Sequence, residues 1–294
     1  MSHDQLVAID QELRSGGGGQ AALADQRAGY EQFCARPAEP DVTVTDVLLG
    51  GVPALRVEPP TTTAGTLLHL HGGGYVIGSA RSGLALAGAL ARRAGASAHS
   101  LGYRLAPEHP FPAAVHDGLA AYRALLDAGW TADRIALTGD SAGAGLAIAT
   151  LVAARDAGLP QPAAVVAMSP WVDLTLTGDT LRTHEAMDAI FDAADIAGYA
   201  ALYLGDADPA HPAASPLLAD LRGLPPLLVQ VGTNEVLLDD ATRLVARAAA
   251  AHVDVTLEVV AGAPHVFQNF AGRLDEADRA LDRAGRFLAD HLGR

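Results

Sequence analysis

A serine lies between two glycines where a predicted strand turns into a predicted helix. Residues 134–154 read RIALTGDSAGAGLAIATLVAA, which places Ser141 in a G-x-S-x-G turn. A turn of this kind requires small neighbours because its backbone is strained and other segments approach closely. It exposes the hydroxyl and directs the N-terminus of the following helix towards a developing oxyanion. We therefore predict Ser141 to be the nucleophile of an acyl-transfer reaction.

A histidine follows the last predicted strand of the chain. His265 comes shortly after the run VTLEVVA, on a loop at the C-terminal end of that strand. The near-neutral pKa of histidine makes it the usual general base for a serine hydroxyl. The chain has 11 His, but this one follows the serine and an acidic stretch in the order Ser, acid, His. We predict His265 to be the base.

Three carboxylates follow the apolar run PLLVQV, in the stretch GTNEVLLDD. The acid of a catalytic triad must reach the histidine from the loop just after its strand, and Glu235 lies three residues after Gly232. Asp239 and Asp240 fall where an Ala-rich helix begins, and acidic side chains stabilise the first turn of a helix. Glu235 is therefore the predicted acid, with Asp239 and then Asp240 as the alternatives.

Consecutive glycines follow another predicted strand, in the stretch LLHLHGGGYVIGS. They allow backbone N–H groups to turn towards a developing negative charge, which predicts an oxyanion loop. A flexible turn and a phosphate-binding loop are the alternatives, but a phosphate-binding loop would need a Lys or a G-x-G-x-x-G spacing that opens a helix. His69 and His71 alternate along the strand without a third ligand at suitable spacing, so we predict no metal site.

The composition of the 294 residues excludes several classes of function. A formal net charge of −14 argues against nucleic acid or an anionic membrane surface as a partner. All 20 basic residues are Arg, which excludes a Lys Schiff base, a Ser-Lys dyad and a P-loop Lys. Cys34 is the single cysteine, so an internal disulfide and a thiolate metal cluster are excluded. The predicted chemistry requires no cofactor.

From residue 41 onwards, short β-rich runs alternate with Ala-rich helical runs, which indicates a mostly parallel sheet with helices on both faces. The predicted strands are VTVTDVLL, VPALRVE, TLLHLH, SAHSLGY, RIALTG, AAVVAMS, PLLVQVG and VTLEVVA. The predicted helices span about 82–94, 113–128, 143–157, 239–251 and 274–292. We expect the first two or three strands to pair antiparallel at one edge. Residues 171–222 carry no strand pattern, so we expect a cap over a site.

Several ordered motifs resemble those of the hormone-sensitive-lipase-like esterases of the α/β-hydrolase fold. These motifs are HGGGYVIGS, YRLAPEHPFPAAVHD, GDSAGAG, SPWVDL and GAPHVFQNF. The resemblance implies an α/β-hydrolase domain over residues 46–294 with eight strands, and a helical cap built from residues 1–45 and from the insertion at about 171–222. It also implies a serine carboxylesterase that hydrolyses short- to medium-chain acyl esters through an acyl-enzyme, without a metal or other cofactor.

The resemblance also assigns individual residues. By position, Ser141 and His265 match the nucleophile and the base, and the oxyanion donors would be the backbone N–H groups of Gly73, Gly74 and Ala142. The family commonly reads D-x-L-x-D, and alignment on Leu237 and Asp239 puts Glu235 at the catalytic acid. Loop-holding roles are implied for Arg104, Glu108 and Asp117. Apart from the resemblance, Tyr75, Phe191, Tyr199 and Phe267 are aromatic residues that could line the substrate pocket, and core packing is the favoured alternative for each.

The same machinery serves other acyl bonds, so an amidase or deacetylase is the alternative function. A ligand-binding receptor of the same fold is a further one, although such proteins usually lack a triad member. The N-terminus has acids where a signal peptide needs positive charge, and no apolar stretch is long enough to span a membrane. We therefore expect a cytoplasmic protein that acts on a small-molecule ester. Edge-strand pairing into a homodimer is expected by resemblance alone.

Overall fold

A computed structural model describes residues 2–15, 22–35, 41–62 and 65–293. From the sequence, the glycine run 16–19 is expected to be a flexible joint because glycine is unfavourable inside a helix, and it lies outside these ranges. Within them, no helix combines the length and the apolar character that crossing a membrane requires.

Within the described ranges, eight strands form one sheet in the order β1-β2-β4-β3-β5-β6-β7-β8. The strands are Thr43–Leu49 (β1), Val52–Glu58 (β2), Thr66–Leu70 (β3), Ser97–Leu101 (β4), Ile135–Asp140 (β5), Ala164–Met168 (β6), Leu227–Asn234 (β7) and Val255–Pro264 (β8). β1 pairs antiparallel with β2, and β2 pairs antiparallel with β4. All other pairings are parallel, so the antiparallel edge predicted for the first strands holds for β1 and β2, whereas β3 joins the parallel set.

Helices cover both faces of the sheet, as the continuous apolar runs of the central strands predict. The helices in the described ranges are Ser2–Ser15 (α1), Leu23–Cys34 (α2), Leu84–Ala94 (α3), Ala113–Asp127 (α4), Ala142–Asp156 (α5), Thr180–Thr183 (α6), Ala193–Leu204 (α7), Leu238–Ala250 (α8) and Asp275–His291 (α9). Alternate strand residues face opposite ways. Leu67 and Ala136 pack with α3 and α9, and Leu68 and Leu137 pack in the cluster that contains α4, α5 and α8.

The parallel strands β3 and β5 to β8 end at one edge of the sheet. The residues predicted to be the nucleophile, the acid and the base each follow one of these strand ends. Ser141 follows β5, Glu235 follows β7 and His265 follows β8, because parallel strands bring their C-terminal ends together.

The N-terminal helices and the insertion pack against the residues at this edge of the sheet. In α1, Ile9 packs with Phe267 and Phe270. The insertion 171–222 contains no strand, as predicted, but it holds α7, which starts with a reciprocal capping box between Asp192 and Asp195. The division of the chain into a cap and a catalytic domain stays a prediction.

Candidate active site

The turn between β5 and α5 holds Ser141 in a strained backbone conformation. Its φ of 54° and ψ of −124° lie outside the regions that most residues occupy, and the residue is 7% exposed. The Ser141 N–H donates to the Met168 carbonyl oxygen at 2.8 Å, which ties the turn to β6. Position 143 must be a glycine, because a Cβ there would lie 2.0 Å from the Leu70 carbonyl oxygen. The turn cannot relax because backbone surrounds it.

The glycine loop after β3 has the left-handed conformations that its sequence predicts. Gly73 has a φ of 108° and Gly74 a φ of 59°. A Cβ on Gly73 would lie 2.2 Å from the Ile77 carbonyl oxygen, and one on Gly74 would lie 2.8 Å from Cγ of Tyr199. Within the described ranges, the N–H groups of Gly73, Gly74 and Ala142 donate no hydrogen bond. These donors are free for a ligand.

His71 supports the glycine loop from below. Its Nδ1 lies 2.7 Å from the Gly72 carbonyl oxygen, and its ring stacks on Tyr103 at a centroid distance of 4.2 Å. The Tyr103 hydroxyl donates to the His71 carbonyl oxygen at 2.7 Å. Burial lowers the pKa of His71 to about 4, so the ring is neutral at physiological pH. A neutral, hydrogen-bonded ring in this position braces the glycine loop.

The side chain of Glu235 turns back towards the end of β7. Its Oε1 accepts hydrogen bonds from the Gly232 N–H at 2.6 Å and from the Ser169 hydroxyl at 2.8 Å. Its Oε2 lies 2.7 Å from Nδ1 of His265. Glu235 is fully buried, and the extra methylene relative to Asp is accommodated by this return to Gly232. Of the three predicted acids, this one contacts His265.

The two alternative acids bind the insertion instead. Asp239 and Thr180 exchange hydrogen bonds, with the Asp239 carboxylate accepting from the Thr180 N–H at 3.1 Å. The buried Asp240 carboxylate accepts from the N–H groups of Val172 at 2.8 Å and Asp173 at 2.9 Å. Both acids lie in the first turn of α8, as predicted, and each fixes the backbone of the segment that follows β6.

His265 is buried at the end of β8, with Nδ1 hydrogen-bonded to Glu235. Burial alone lowers the pKa of His265, but the charge and hydrogen bond of Glu235 raise it, together with the charges of Asp188 and Asp140. The net pKa of His265 is raised. Burial raises the pKa of Glu235, against the hydrogen bonds that favour its ionised form.

The other ring nitrogen of His265 is available for proton transfer. Nε2 is buried and has no hydrogen-bond partner within the described ranges. The structure therefore brings Glu235 and His265 into contact, and it places Ser141 at the same sheet edge without a hydrogen bond to His265. Catalytic hydrogen bonds of this kind often tighten only when substrate binds.

The four aromatic residues predicted to contact substrate divide into two pairs. Phe191 packs edge-on against His265 at a centroid distance of 5.2 Å, and Tyr199 packs against the glycine loop. Tyr75 and Phe267 are buried instead. Tyr75 stacks on Tyr203 at 3.8 Å, and Phe267 lies in a core cluster under α1. For these two, substrate contact stays a prediction beside the core packing that the structure shows.

Three residues that the sequence reasoning did not select support the site. The Ser169 hydroxyl accepts from the Val266 N–H at 3.0 Å while it donates to Glu235, so it joins the acid loop to the base loop. Asp188 lies in the insertion and accepts from the Val236 N–H at 2.9 Å. Ser169 stands in the quoted motif SPWVDL, which was the available signal. Asp188 lies in an acid-rich segment that offered none.

The third such residue is Arg27 on α2. Its guanidinium forms two hydrogen bonds with Glu108, of 2.8 and 2.7 Å, and donates to the carbonyl oxygens of Val76 and Ala106 at 3.0 Å each. Val76 closes the glycine loop through its own N–H, which donates to the Gly73 carbonyl oxygen. Glu108 therefore holds a loop near the site, as the resemblance implied.

Arg104 and Asp117 pair in the same region. The Arg104 Nε and Nη2 atoms donate to the Asp117 carboxylate, and the Arg104 N–H donates to it at 2.8 Å. His69, considered as a metal ligand, lies 3.0 Å from the Thr138 hydroxyl and 3.5 Å from Asp140. No cluster of three His, Cys, Asp or Glu side chains suited to a metal occurs in the described part of the chain.

Comparison with known proteins places the chain in a family. Residues 67–269 match a family described by the alpha/beta hydrolase fold. An acetyl-hydrolase of Streptomyces hygroscopicus is 45% identical over 289 residues, covering 98% of this chain and 95% of that protein. An esterase of Acinetobacter venetianus is 36% identical over 263 residues, covering 89% of this chain and 87% of that protein.

Solved structures agree with these relatives. A crystal structure of an esterase from the bacterial hormone-sensitive lipase family matches with a TM-score of 0.95 at 46% identity, covering 99% of both chains. An esterase crystal soaked with p-nitrophenyl butyrate matches with a TM-score of 0.94 at 44% identity, covering 98% of both chains. The chain belongs to the α/β-hydrolase fold family and, within it, to the bacterial hormone-sensitive-lipase-like esterases. The predicted fold and the predicted class of carboxylic ester hydrolase are confirmed.

Proposed function

We propose that this esterase hydrolyses short- to medium-chain acyl esters through an acyl-enzyme on Ser141, with His265 as base and Glu235 as the acid that orients it. The observation that carries the assignment is the 2.7 Å contact between Glu235 Oε2 and His265 Nδ1 at the sheet edge where Ser141 lies. This contact fixes the tautomer that leaves Nε2 free to accept a proton.

In the first step, the Ser141 oxygen attacks the ester carbonyl carbon while its proton passes to His265 Nε2. The carbonyl oxygen becomes negative and accepts hydrogen bonds from the free N–H groups of Gly73, Gly74 and Ala142. Removal of one such donor raises the activation free energy by about 3–4 kcal/mol. The carbon–oxygen bond to the alcohol then breaks, and the alcohol leaves with the proton from His265.

In the second step, water replaces the alcohol. His265 takes a proton from the water, whose oxygen attacks the acyl carbon, and the acid product leaves as the proton returns to Ser141. The buried Glu235 carboxylate stabilises the imidazolium that forms in both steps, in agreement with the raised pKa of His265.

The preference for shorter acyl groups is supported by the aromatic residues around the site. Phe191 packs against His265, Tyr199 packs directly against Gly74, and the two rings pack edge-on against each other at a centroid distance of 6.3 Å, so bulky rings lie between the base and the glycine loop. The names of an acetyl-hydrolase relative and of an esterase crystal soaked with a butyrate ester agree with small acyl groups.

The nucleophile is tested with a fluorophosphonate probe. We expect one covalent adduct, located on Ser141 by peptide mass mapping, and no adduct in Ser141→Ala. The substrate class is tested with p-nitrophenyl esters from acetate to dodecanoate beside the p-nitroanilide of butyrate. We expect the highest kcat/KM between acetate and hexanoate and a much lower value for the anilide. An adduct on another residue would assign the nucleophile to that residue. A higher kcat/KM for the anilide than for the esters would identify the protein as an amidase.

A further inference from the structure

A buried carboxylate from the insertion binds the backbone of residues that adjoin the acid and the base. Asp188, in the segment between α6 and α7, is only 6% exposed. Its Oδ1 accepts hydrogen bonds from the N–H groups of Ile190 at 2.8 Å and Phe191 at 3.0 Å. Its Oδ2 accepts from the Val236 N–H at 2.9 Å. One carboxylate therefore joins two segments that are far apart in the chain.

Each of these segments contacts a different member of the proposed triad. Val236 directly follows Glu235, so the bond to Asp188 fixes the backbone that carries the acid. Phe191 packs its ring edge-on against His265, with an angle of 75° between the rings. Movement of Asp188 would therefore shift the backbone beside the acid and the ring beside the base.

The insertion is also tied to the N-terminal helix at this point. Arg14 on α1 donates to the carbonyl oxygen of Met187 at 2.9 Å and to that of Ala186 at 3.4 Å. Its charge also interacts with that of Asp188. Arg14 holds the turn before Asp188 through backbone carbonyls, which leaves the carboxylate oxygens directed at the three N–H groups already named.

The groups that face His265 define its electrostatic environment. Glu235, after β7, is hydrogen-bonded to it, and the carboxylates of Asp188 and Asp140 add negative charge from the insertion and from the end of β5. The Ser141 hydroxyl is neutral. Asp188 is the one acid of this set that the insertion supplies, so its charge is near His265 only when the insertion is seated on the sheet edge.

We propose that Asp188 is a positioning residue for ester hydrolysis, which seats the insertion against the acid loop and adds a further negative charge to those near the histidine that becomes cationic. The inference rests on the proposed function of Ser141, Glu235 and His265. An imidazolium forms in both steps of the reaction, and an additional buried carboxylate stabilises it more than it stabilises the neutral ring. Seating of the insertion therefore increases the basicity of His265 and lowers the barrier to acyl transfer.

The test compares Asp188→Asn with Asp192→Asn. Both substitutions remove one negative charge from the insertion, but Asp192 is exposed at the start of α7 and Asn also caps helices well. In Asp188→Asn the acidic limb of the kcat/KM profile should move to lower pH by about half a unit to one unit. The plateau of kcat should fall about tenfold, because the imidazolium is less stabilised. Asp192→Asn should change neither quantity.

A structural role alone gives a different result. If Asp188→Asn lowers the plateau but leaves the acidic limb where it is in the wild type, the charge does not act on His265 and the proposal is overturned. Asn also has a single acceptor oxygen, so Asp188→Glu separates charge from geometry. It keeps the charge, and we expect a reduced kcat with a smaller shift of the acidic limb than in Asp188→Asn.

The titration of His265 can be measured without turnover. In histidine-labelled protein, nuclear magnetic resonance should show a lower midpoint for His265 in Asp188→Asn than in the wild type. If that variant does not fold, Phe191→Ala replaces it. Loss of the ring admits water to the imidazole, which should raise the midpoint, and an unchanged midpoint overturns the contact between the insertion and His265.

Fluorophosphonate labelling distinguishes failure of the role proposed for Asp188 from failure of the proposed function. Labelling of Ser141 in the wild type and in Asp188→Asn, with an unshifted acidic limb, contradicts the role of Asp188 alone. Absence of labelling on Ser141 in the wild type contradicts the proposed function itself.

Discussion

Ser141 and the glycine loop lie among crowded backbone atoms, whereas Glu235 and His265 lie within a network of buried side-chain hydrogen bonds. We call residues 71–74 and 139–145 the nucleophile half of the site, and Ser169, Asp188, Glu235 and His265 the acid–base half. Both halves are almost wholly buried and lie at the same edge of the sheet. They differ in what holds their atoms in place, which is backbone packing in the nucleophile half and side-chain hydrogen bonding in the acid–base half.

In the nucleophile half, shape is set by the absence of side chains. A Cβ on Gly139 would lie 2.4 Å from the Gly143 carbonyl oxygen, and one on Gly145 would lie 2.0 Å from that of Trp171. Backbone atoms cannot move aside as flexible side chains do, so the positions of Ser141 and of the proposed oxyanion donors are fixed by packing. This half should tolerate almost no added atoms.

In the acid–base half, position is set by polar partners from distant parts of the chain. Ser169 follows β6, Asp188 lies in the insertion, and Glu235 follows β7. A buried polar group keeps its place only while its partners are present, and loss of one partner leaves another unsatisfied. This half should tolerate changes of size better than loss of a hydrogen bond.

Gly143→Ala should have the largest effect on the nucleophile half. The new Cβ would meet the carbonyl oxygens of Leu70 at 2.0 Å and His71 at 2.4 Å, so the turn must shift or fail to form. We expect kcat/KM for p-nitrophenyl butyrate to fall by at least about 10³, with a lower Tm. Gly29→Ala on α2 is the control, since among the described residues no atom beyond its chain neighbours and its own helix backbone lies within 4 Å of its Cβ position. Wild-type activity in Gly143→Ala would show that packing does not fix this half.

Ser169→Ala should have the next largest effect, on the acid–base half. The substitution removes the hydroxyl that donates to Glu235 and accepts from Val266. A hydrogen bond to a charged group contributes about 1.5–3 kcal/mol, so kcat should fall about 10- to 100-fold. Ser100→Ala is the matched control, because the buried Ser100 hydroxyl has no hydrogen-bond partner in the described ranges. Equal rates in the two variants would contradict the polar network.

Arg27→Gln should lower activity moderately, because this residue of the N-terminal segment holds the glycine loop. The guanidinium anchors the Val76 carbonyl oxygen, and a looser loop holds the oxyanion donors less well. We expect kcat/KM to fall about three- to tenfold, mainly through kcat. The exposed Arg123 on α4 offers the comparison variant, and Arg123→Gln should match the wild type. An unchanged kcat in Arg27→Gln would show that this contact of the N-terminal segment does not contribute to catalysis.

Asp240→Asn should change stability rather than rate, and only over a range of pH. Burial raises the pKa of Asp240 to about 7, so the folded protein binds a proton that the unfolded chain has already lost above its ordinary pKa. Stability contributed by this group therefore decreases as pH rises from about 4 to 7, by up to about 4 kcal/mol. Urea titrations should show a smaller decrease over that range for Asp240→Asn. An identical pH dependence in both proteins would contradict the raised pKa.

The two halves also differ in what the sequence could predict. The strands, Ser141 and the glycine loop follow from short-range patterns, since a G-x-S-x-G turn and an H-G-G-G loop carry their own backbone requirements. Glu235 could be ranked above Asp239 and Asp240 by its distance from β7. The motif SPWVDL contains Ser169, but its bond to Glu235, 66 residues away, could not be predicted, and neither could the bond between Asp188 and Val236, 48 residues apart. Burial of Tyr75 and Phe267 likewise depends on packing across the chain.

The most direct test of the central claim is the activity of Glu235→Gln beside that of Asp239→Asn on p-nitrophenyl butyrate. Gln keeps the size of Glu235 but cannot stabilise the imidazolium of His265, so kcat should fall by about 10³–10⁴. Asp239→Asn should retain kcat within about threefold and lose some stability, since its carboxylate binds Thr180. A large loss in Asp239→Asn with nearly normal turnover in Glu235→Gln would contradict the account.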